Sequence, residues 1–166
     1  MKDISYIEAM SLAMEQLSRG GAFLTVPGDN AMTIGWGAIG YYWKKPVFVA
    51  AVRPSRYTYG LIEQAGYFGI SVPMRGDMKN ALTLAGSLSG REGDKFSRCG
   101  LVRAAGRFIP CPMVDQCQLY FECQVRLKQD MTLEGMDGQV QQSAYPQGDL
   151  HRLYFGEILG CYRAGL

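Results

Sequence analysis

Hydrophobic residues near the start of the chain recur at helical spacing. Ile7, Met10, Met14 and Leu17 follow one another at intervals of three, four and three residues, so they share one face of a helix. A helix with one apolar face needs a partner surface to bury it. We therefore predict a helix over residues 5–17 that packs through this face onto a sheet.

Beyond residue 21 the pattern changes to short apolar runs separated by glycine and proline. Residues 27–30, Pro-Gly-Asp-Asn, lie between two such runs and predict a hairpin turn. The pattern predicts strands at 22–26, 32–36, 46–52, 68–72, 119–127 and 153–159, and short helices at 58–65 and 79–84. Many short strands with helices between them indicate a mainly β fold, a barrel or a sandwich, with flanking helices. With no repeat and no linker, we expect a single domain over 1–166.

Composition and charge exclude several classes of protein. The 166 residues are 48% hydrophobic and 19% charged, with a formal net charge of +2. This is an ordinary globular mixture, and its basic excess is too small for a nucleic-acid-binding domain. No apolar run approaches the ~18 residues that span a membrane, and the first residues lack the apolar core of a signal peptide. We expect a cytoplasmic protein with neither nucleic acid nor membrane as a partner.

The cysteines and the single histidine limit the chemistry further. Five cysteines without a C-x-x-C pair are typical of reduced thiols, and we expect Cys111, Cys117 and Cys123 to be buried. His151 is the only histidine, so a metal site with two or three histidines from one chain is excluded, and we predict no metal. The chain also lacks the two common glycine-rich phosphate loops and the G-x-S-x-G nucleophile elbow.

The most informative segment is 53–58, Arg-Pro-Ser-Arg-Tyr-Thr, between a predicted strand and a predicted helix. The N-terminus of a helix presents unpaired amides that favour anions. Arg53 and Arg56 add fork-shaped donors that suit phosphate oxygens. Ser55 and Thr58 add hydroxyl groups, and either is a candidate N-cap. The pattern fits a terminal phosphate, and it fits a solvated basic turn equally well.

A second segment, 30–37, reads Asn-Ala-Met-Thr-Ile-Gly-Trp-Gly. An amide, a hydroxyl and backbone groups beside Trp36 suit a flat heteroaromatic ring with a ribityl chain, and glycine permits close approach to a ligand. A hairpin strand that carries a core tryptophan is the simpler interpretation of the same residues.

Together these segments resemble a known family. The strings at 30–36 and 52–58, followed by Ser-Gly-Arg at 89–91, Asp-Lys at 94–95 and Gly-Asp-Leu-His at 148–151, are similar in order and spacing to the flavin reductase-like family that includes flavoredoxin. The resemblance implies the FMN-binding split β-barrel, with FMN as cofactor. It also implies a homodimer in which FMN lies near the subunit interface.

The same resemblance implies the cofactor-binding residues. By the family pattern the phosphate contacts are Arg53, Ser55, Arg56 and Thr58. The ribityl chain and ring are lined by Asn30, Met32, Thr33 and Trp36. Ser89 and Lys95, on a glycine-rich loop over 86–95, are further candidate contacts, although 87–94 alone would also fit a mobile surface turn. We hypothesise that Lys95 or a main-chain amide of 31–35 stabilises the anionic reduced flavin.

Two features of the sequence allow more than one interpretation. His151 is a candidate catalytic residue that tunes the flavin site or moves a proton; alternatively it is a strand-end histidine bonded to Asp149 or to the backbone. Residues 41–45, Tyr-Tyr-Trp-Lys-Lys, suit a dimer interface, a lid over the flavin or a core segment.

The resemblance implies an FMN-binding oxidoreductase that passes electrons from NAD(P)H through FMN to a flavin, a metal or a protein acceptor. The alternative is a flavoredoxin-like electron carrier that takes electrons from a redox protein and has no nicotinamide site of its own. A binding domain for another phosphorylated ligand or a tetrapyrrole is a third interpretation, because fold alone does not determine function.

Overall fold

Antiparallel pairing along the chain builds one large sheet. The computed structural model describes residues 1–165. The strands are β1 (Lys2–Asp3), β2 (Ala22–Val26), β3 (Asn30–Ile34), β4 (Gly37–Tyr42), β5 (Lys45–Val52), β6 (Tyr67–Val72), β7 (Arg103–Ala105), β8 (Pro112–Val114), β9 (Leu119–Asp130) and β10 (Arg152–Arg163). The main sheet runs β3-β2-β6-β9-β10-β5-β4 with β1 added on β10, while β7 and β8 form a separate pair. The mainly β fold with flanking helices is confirmed.

Five helices accompany the sheet. They are α1 (Tyr6–Arg19), α2 (Tyr57–Ala65), α3 (Lys79–Ser87), α4 (Lys95–Arg98) and α5 (Gly138–Ala144), with a 3-10 turn at Gly90–Glu92, all within residues 1–165. Every predicted helix and strand is present, and the predicted 27–30 turn joins β2 to β3 with Val26 opposite Asn30. The ends shift most at β10, which extends four residues beyond the predicted 159.

The elements that the sequence pattern missed lack an apolar period. Helix α5 buries none of its residues. The Asp137 carboxylate accepts hydrogen bonds from the Gln139 and Val140 amides. These amides have no acceptor within the helix, so the carboxylate stabilises the helix start. Strand β4 contains two glycines, which weakens the strand signal.

Alternating side chains place two hydrophobic clusters on opposite faces of the sheet. In β2, Leu24 belongs to the cluster that includes α1 and α2, whereas its neighbour Phe23 belongs to the cluster that includes α3 and α4. In β9, Phe121 and Tyr120 divide in the same way. A strand with both faces buried is therefore apolar throughout, which explains the continuous apolar runs in the sequence.

The apolar face of α1 differs from the predicted one. Its buried residues are Ala9, Ala13 and Leu17, whereas Ile7 is 61% exposed. Two alanines let the helix lie close to the sheet, and Ile7, two positions from Ala9, points to nearly the opposite side of the helix. Ser5 begins the helix, because its hydroxyl accepts from the Ile7 amide.

The aromatic segment at 41–45 is a hairpin tip and not part of the core. Trp43 and Lys44 have positive φ values of 51° and 60° and connect β4 to β5, where Tyr42 pairs with Lys45. Successive positive φ values are typical of a type I′ turn. Tyr41, Tyr42 and Trp43 are 61, 47 and 53% exposed, so the core interpretation is wrong. The interface and lid interpretations stay predictions.

The cysteines are free thiols, as expected. Cys111, Cys117 and Cys123 are buried, and burial raises the pKa of the Cys111 thiol to about 12, so this sulfur stays protonated and unreactive. Among the helices of residues 1–165, none has the length and apolar character needed to cross a membrane.

One buried carboxylate fixes the segment before β8. Glu122 of β9 is fully buried. It accepts hydrogen bonds from the amides of Arg107, Phe108 and Ile109 at 2.7, 2.6 and 2.9 Å and from the Tyr162 hydroxyl. Its four contacts offset the cost of burying a charge or a polar group.

Glu122→Ala should lower the free energy of unfolding by about 3 kcal/mol or more, since unsatisfied buried donors cost roughly 1–3 kcal/mol each. Urea unfolding measures the change. The matched control is Glu134→Ala, which removes an exposed carboxylate and should cost less than about 0.5 kcal/mol. A Glu122 variant as stable as the control would contradict this role.

Candidate functional site

Two clefts meet at Arg56, near the end of β5 and the start of α2. The first has a volume of about 110 Å³ and the second of about 230 Å³. Between them they contain every site residue that the sequence predicted. The first is lined by Asn30, Ser55, Arg56, Tyr57, Thr58, Ser87, Leu88, Ser89, Gly90, Arg91 and Lys95. The second is lined by Met32, Thr33, Ile34, Gly35, Trp36, Ala51, Arg53, Arg56, Gly86 and His151.

Carbonyl groups of α3 accept hydrogen bonds from side chains of both clefts. Lys95 Nζ donates to the Ala85 carbonyl at 2.6 Å, and Arg56 Nη2 donates to the Gly86 carbonyl at 2.7 Å. Thr33 Oγ1 of β3 donates to the Leu82 carbonyl at 2.6 Å. The last carbonyls of a helix lack intrahelical partners and carry partial negative charge, so they attract cations. Two cations are thereby fixed beside the first cleft.

The start of α2 forms another wall of the first cleft. The N-cap residue is Arg56, and its side chain makes no capping hydrogen bond. The expectation that Ser55 or Thr58 caps this helix is wrong, because both hydroxyls have distant partners. Ser55 Oγ donates to Asp149 Oδ2 at 2.6 Å, and Thr58 Oγ1 accepts from Asn30 Nδ2 at 2.7 Å. The start of α2 therefore has no side-chain cap, and its first residues, Tyr57 and Thr58, line the cleft.

The first cleft is strongly cationic. Arg56, Arg91 and Lys95 line it, and its lining contains no carboxylate. Lys95 is only 2% exposed. Burial and the nearby Arg56 guanidinium lower the pKa of its ammonium to about 8. A buried cation without a carboxylate partner is costly, and a bound anion would offset that cost.

The sequence had suggested a loop position for Lys95, and this prediction is wrong. It is the first residue of α4, whose N-cap is Asp94, with the Asp94 carboxylate accepting from the Phe96 amide. The side chain is buried because α4 packs into the cluster around Phe96. The preceding residues 90–92 form a 3-10 turn, capped by Ser89.

Asn30 and Gly90 complete the first cleft. Asn30 is 3% exposed, and its Oδ1 atom has no hydrogen-bond donor among residues 1–165. A bound hydroxyl group would supply the missing donor. A Cβ atom on Gly90 would lie 2.3 Å from that oxygen and 2.6 Å from the Tyr57 ring, so only glycine permits the backbone to pack this closely against Asn30 and Tyr57.

The second cleft is aromatic on one side. The Trp36 ring is 48% exposed, and its centroid lies 4.9 Å from that of His151 and 6.1 Å from that of Tyr145. Tyr145 Oη is 2.8 Å from His151 Nδ1, so the expected bond from this histidine to Asp149 or the backbone is wrong. Burial and the Arg53 charge lower the pKa of His151 to about 4, which makes the imidazole neutral near pH 7.

Arg53 belongs to the second cleft and not to the first. Its guanidinium donates to the carbonyls of Ala144, Gly148 and Asp149 at 3.1, 3.4 and 2.8 Å. The arginine predicted beside it, Arg56, lines both clefts. The two clefts thus contain all eleven predicted residues, and the Arg53 guanidinium is directed to the 144–149 segment.

Sequence reasoning missed three side chains of this region, namely Tyr57, Arg91 and Tyr145. Arg91 lies over the Tyr57 ring at 5.3 Å. Arg91 stands in the Ser-Gly-Arg string that carried the family resemblance, so its signal was available. Tyr145 follows α5, the helix that has no apolar face, and nothing in its sequence context marks it as a neighbour of Trp36. Within residues 1–165, no three His, Cys, Asp or Glu side chains gather as metal ligands would.

Comparison with known proteins places this chain in a family. The sequence pattern described as "Flavin reductase like domain" matches residues 14–165. The chain belongs to the flavin reductase-like family. An uncharacterised protein of Archaeoglobus fulgidus is 30% identical over 140 residues, which cover 82% of this chain and 68% of that protein.

Three solved structures share the fold. Flavoredoxin of Desulfovibrio vulgaris superposes with a TM-score of 0.67 at 22% identity, covering 87% of this chain and 69% of that one. The FMN-binding protein of Thermus thermophilus gives 0.66 at 22%, covering 87% and 70%. BorF, the flavin reductase component of a bacterial two-component tryptophan halogenase, gives 0.66 at 24%, covering 89% and 81%. The predicted flavin reductase-like split-barrel fold is confirmed, with the terminal strands β3 and β4 of the main sheet not paired to each other among the described residues.

Lys95→Met should raise the free energy of unfolding at pH 7 by about 1–2 kcal/mol. The pKa of this lysine falls from 10.5 to about 8 on folding, so burying the ammonium opposes folding, and the lost hydrogen bond to Ala85 offsets only part of the gain. Between pH 8 and 10.5 the unfolded chain binds more protons, so native stability rises with pH there and the variant's advantage shrinks.

Urea unfolding at pH 7 and pH 10.5 measures both effects. Lys79→Met, at an exposed lysine of α3, is the matched control and should show neither. A Lys95 variant that is less stable than the native protein at pH 7 would show that the ammonium has a stabilising partner.

Proposed function

We propose that this protein binds FMN across the two clefts and acts as an oxidoreductase of the flavin reductase type. It would pass electrons from NAD(P)H through FMN to a flavin, a metal or a protein acceptor. The observation that carries the proposal is the junction at Arg56 between a cationic cleft without carboxylates and a cleft with an exposed tryptophan. FMN has the same division, with a phosphate at one end and an aromatic ring at the other.

The residues present fit each part of FMN. Arg56, Arg91 and Lys95, with the first amides of α2, would hold the phosphate, supported by Thr58 and Ser89 of the same lining, whereas Ser55, on the edge of this cleft, donates to Asp149. The unpartnered Asn30 Oδ1 would accept from a ribityl hydroxyl. Met32, Thr33 and Trp36 of the second cleft would contact the ring. When bound, FMN supplies hydride and single-electron chemistry that no amino-acid side chain provides.

His151 would act as a neutral hydrogen-bonding group. Its pKa of about 4 excludes a large population of imidazolium near pH 7. Nδ1 shares a hydrogen bond with the Tyr145 hydroxyl at 2.8 Å, which leaves the other ring nitrogen, Nε2, for a contact with the ligand at the second cleft. This role differs from a proton shuttle, because shuttling near pH 7 requires a pKa close to the working pH.

A second candidate function is an FMN electron carrier without a nicotinamide site. The structural likeness to flavoredoxin of Desulfovibrio vulgaris favours it as the alternative. The residues of the two clefts, on which the FMN proposal rests, are compatible with both functions. The two differ only in the electron donor, so the donor must be tested.

We also propose a homodimer as the working unit. The exposed aromatic residues Tyr41, Tyr42 and Trp43 at the β4–β5 tip support this, since aromatic side chains are enriched at interfaces. The free cysteines are compatible with a reducing compartment such as the cytoplasm.

Lys95→Met should weaken FMN binding at least tenfold and leave riboflavin binding within about twofold, because a charge-assisted hydrogen bond to phosphate contributes about 1.5–3 kcal/mol. Titration with each flavin, followed by visible absorption after desalting, measures both affinities. Native FMN affinity should also fall as pH rises through about 8. Lys79→Met serves again as the control. Equal losses for FMN and riboflavin would contradict a phosphate contact, and a protein that retains neither flavin would contradict the proposed function.

Anaerobic addition of NADH or NADPH to the FMN-loaded protein should bleach the flavin absorption in the reductase. Stopped-flow absorption measures the rate, with dithionite as the control for complete reduction. Full bleaching by dithionite without bleaching by either nicotinamide nucleotide would instead support the electron carrier.

A further inference from the structure

The Arg53 side chain donates its hydrogen bonds to backbone carbonyls. It donates to Asp149 at 2.8 Å, to Ala144 at 3.1 Å and to Gly148 at 3.4 Å. A guanidinium has five N–H donors in a fixed planar arrangement. Three of its contacts reach a single segment about ninety residues away along the chain, so the arginine links β5 to the connection between α5 and β10.

The segment is shaped to receive this cation. Ala144 is the last residue of α5, so its carbonyl belongs to the negative end of a helix. Gly148 and Asp149 follow with positive φ values of 76° and 53°, and both of their carbonyls accept from Arg53. Glycine and aspartate are among the residues that adopt positive φ most readily, so the pair suits a tight turn at this position.

Two further contacts join the same pair of segments. The Arg53 guanidinium lies 5.1 Å from the centroid of the Tyr145 ring, within the range of a cation–π interaction. Ser55 Oγ donates to Asp149 Oδ2 at 2.6 Å. One short stretch, Arg53 to Ser55, therefore grips both the backbone and a side chain of the 144–149 segment.

That segment leads directly to the aromatic side of the second cleft. Tyr145 lies at its start and His151 just after its end, and the two are joined by the 2.8 Å contact between Tyr145 Oη and His151 Nδ1. The His151 ring then packs against Trp36. Movement of the 144–149 backbone would move both partners of the exposed tryptophan.

We infer that Arg53 is a positioning residue: it clamps residues 144–149 and thereby fixes Tyr145 and His151 beside Trp36, and it does not bind the ligand's phosphate. The two arginines of the 53–58 string therefore have different roles: Arg56 contacts the phosphate, and Arg53 holds the 144–149 segment. The phosphate half of the inference rests on the proposed function, whereas the clamp is independent of any ligand.

His151 allows the clamp to be measured without a ligand. Because it is the only histidine, its ring protons give an unambiguous NMR titration. In the native protein that titration should have its midpoint near the pKa of about 4 that burial and Arg53 produce, with Asp149 acting in the opposite direction. If the clamp opens, the ring becomes hydrated and the midpoint moves toward its ordinary value of 6.5.

The variants Arg53→Ala and Arg53→Lys separate clamping from charge. Lysine keeps the positive charge and loses the planar fork, so the clamp predicts that both variants raise the His151 midpoint. A normal midpoint in Arg53→Lys together with a raised one in Arg53→Ala would reduce the effect to charge and overturn the clamp. Unchanged midpoints in both would overturn it as well. Ser55→Ala, which removes only the contact to the Asp149 carboxylate, should give a smaller shift in the same direction and covers the case in which Arg53→Ala does not fold.

The ratio of FMN to riboflavin affinity tests the phosphate half. It should stay within about twofold of native in Arg53→Lys and Arg53→Ala, and fall at least tenfold in Lys95→Met, the reference for a lost phosphate contact. A tenfold fall in the Arg53 variants would overturn the assignment. If the native protein binds no flavin, the proposed function fails, while the NMR titration still decides whether Arg53 clamps the loop.

Discussion

Carbonyl groups without intrahelical donors, at the ends of two short helices, organise this site. The last turn of α3 binds Lys95 and Arg56 through the Ala85 and Gly86 carbonyls, and the last residue of α5 binds Arg53 through the Ala144 carbonyl. In both cases an unmet requirement of helix geometry, an acceptor without an intrahelical donor, is met by a cation from another part of the chain. Three segments distant in sequence are joined through these few contacts.

This arrangement holds the cationic side chains in place without neutralising their charge. A carboxylate partner would neutralise a cation, whereas a carbonyl oxygen orients it and leaves its charge available. The first cleft consequently has three cations and no carboxylate in its lining, at a cost that is evident in the lowered pKa of Lys95. A site prepared for an anion before the anion arrives trades some stability for binding.

The fold explains why the two clefts adjoin. Strand β3 supplies Asn30 to the first cleft and Thr33 to the second, and the connection from β3 to β4 supplies Trp36 to the second. The turn after β5 supplies Arg56 to both clefts. Helix α3 packs onto β3 through the hydrogen bond from Thr33 Oγ1 to the Leu82 carbonyl. The last residues of α3 line both clefts. Family membership was established by the sequence match over 14–165, whereas the solved relatives, at 22–24% identity, establish the fold.

The sequence by itself determined six strands of the main sheet, three helices and the place of the site. Apolar runs and turn residues located the strands, because a strand buried on both faces must be apolar throughout, and the 30–36 and 53–58 strings located the clefts. Only the tertiary structure decided what each side chain in those strings does. Arg53 and Arg56 are chemically identical and three positions apart, yet one faces α5 and the other α3, since the turn after β5 points them in different directions. Tyr145 beside Trp36, and the burial of Lys95, depend on packing between segments far apart in the chain, and local sequence patterns carry no information about such distances.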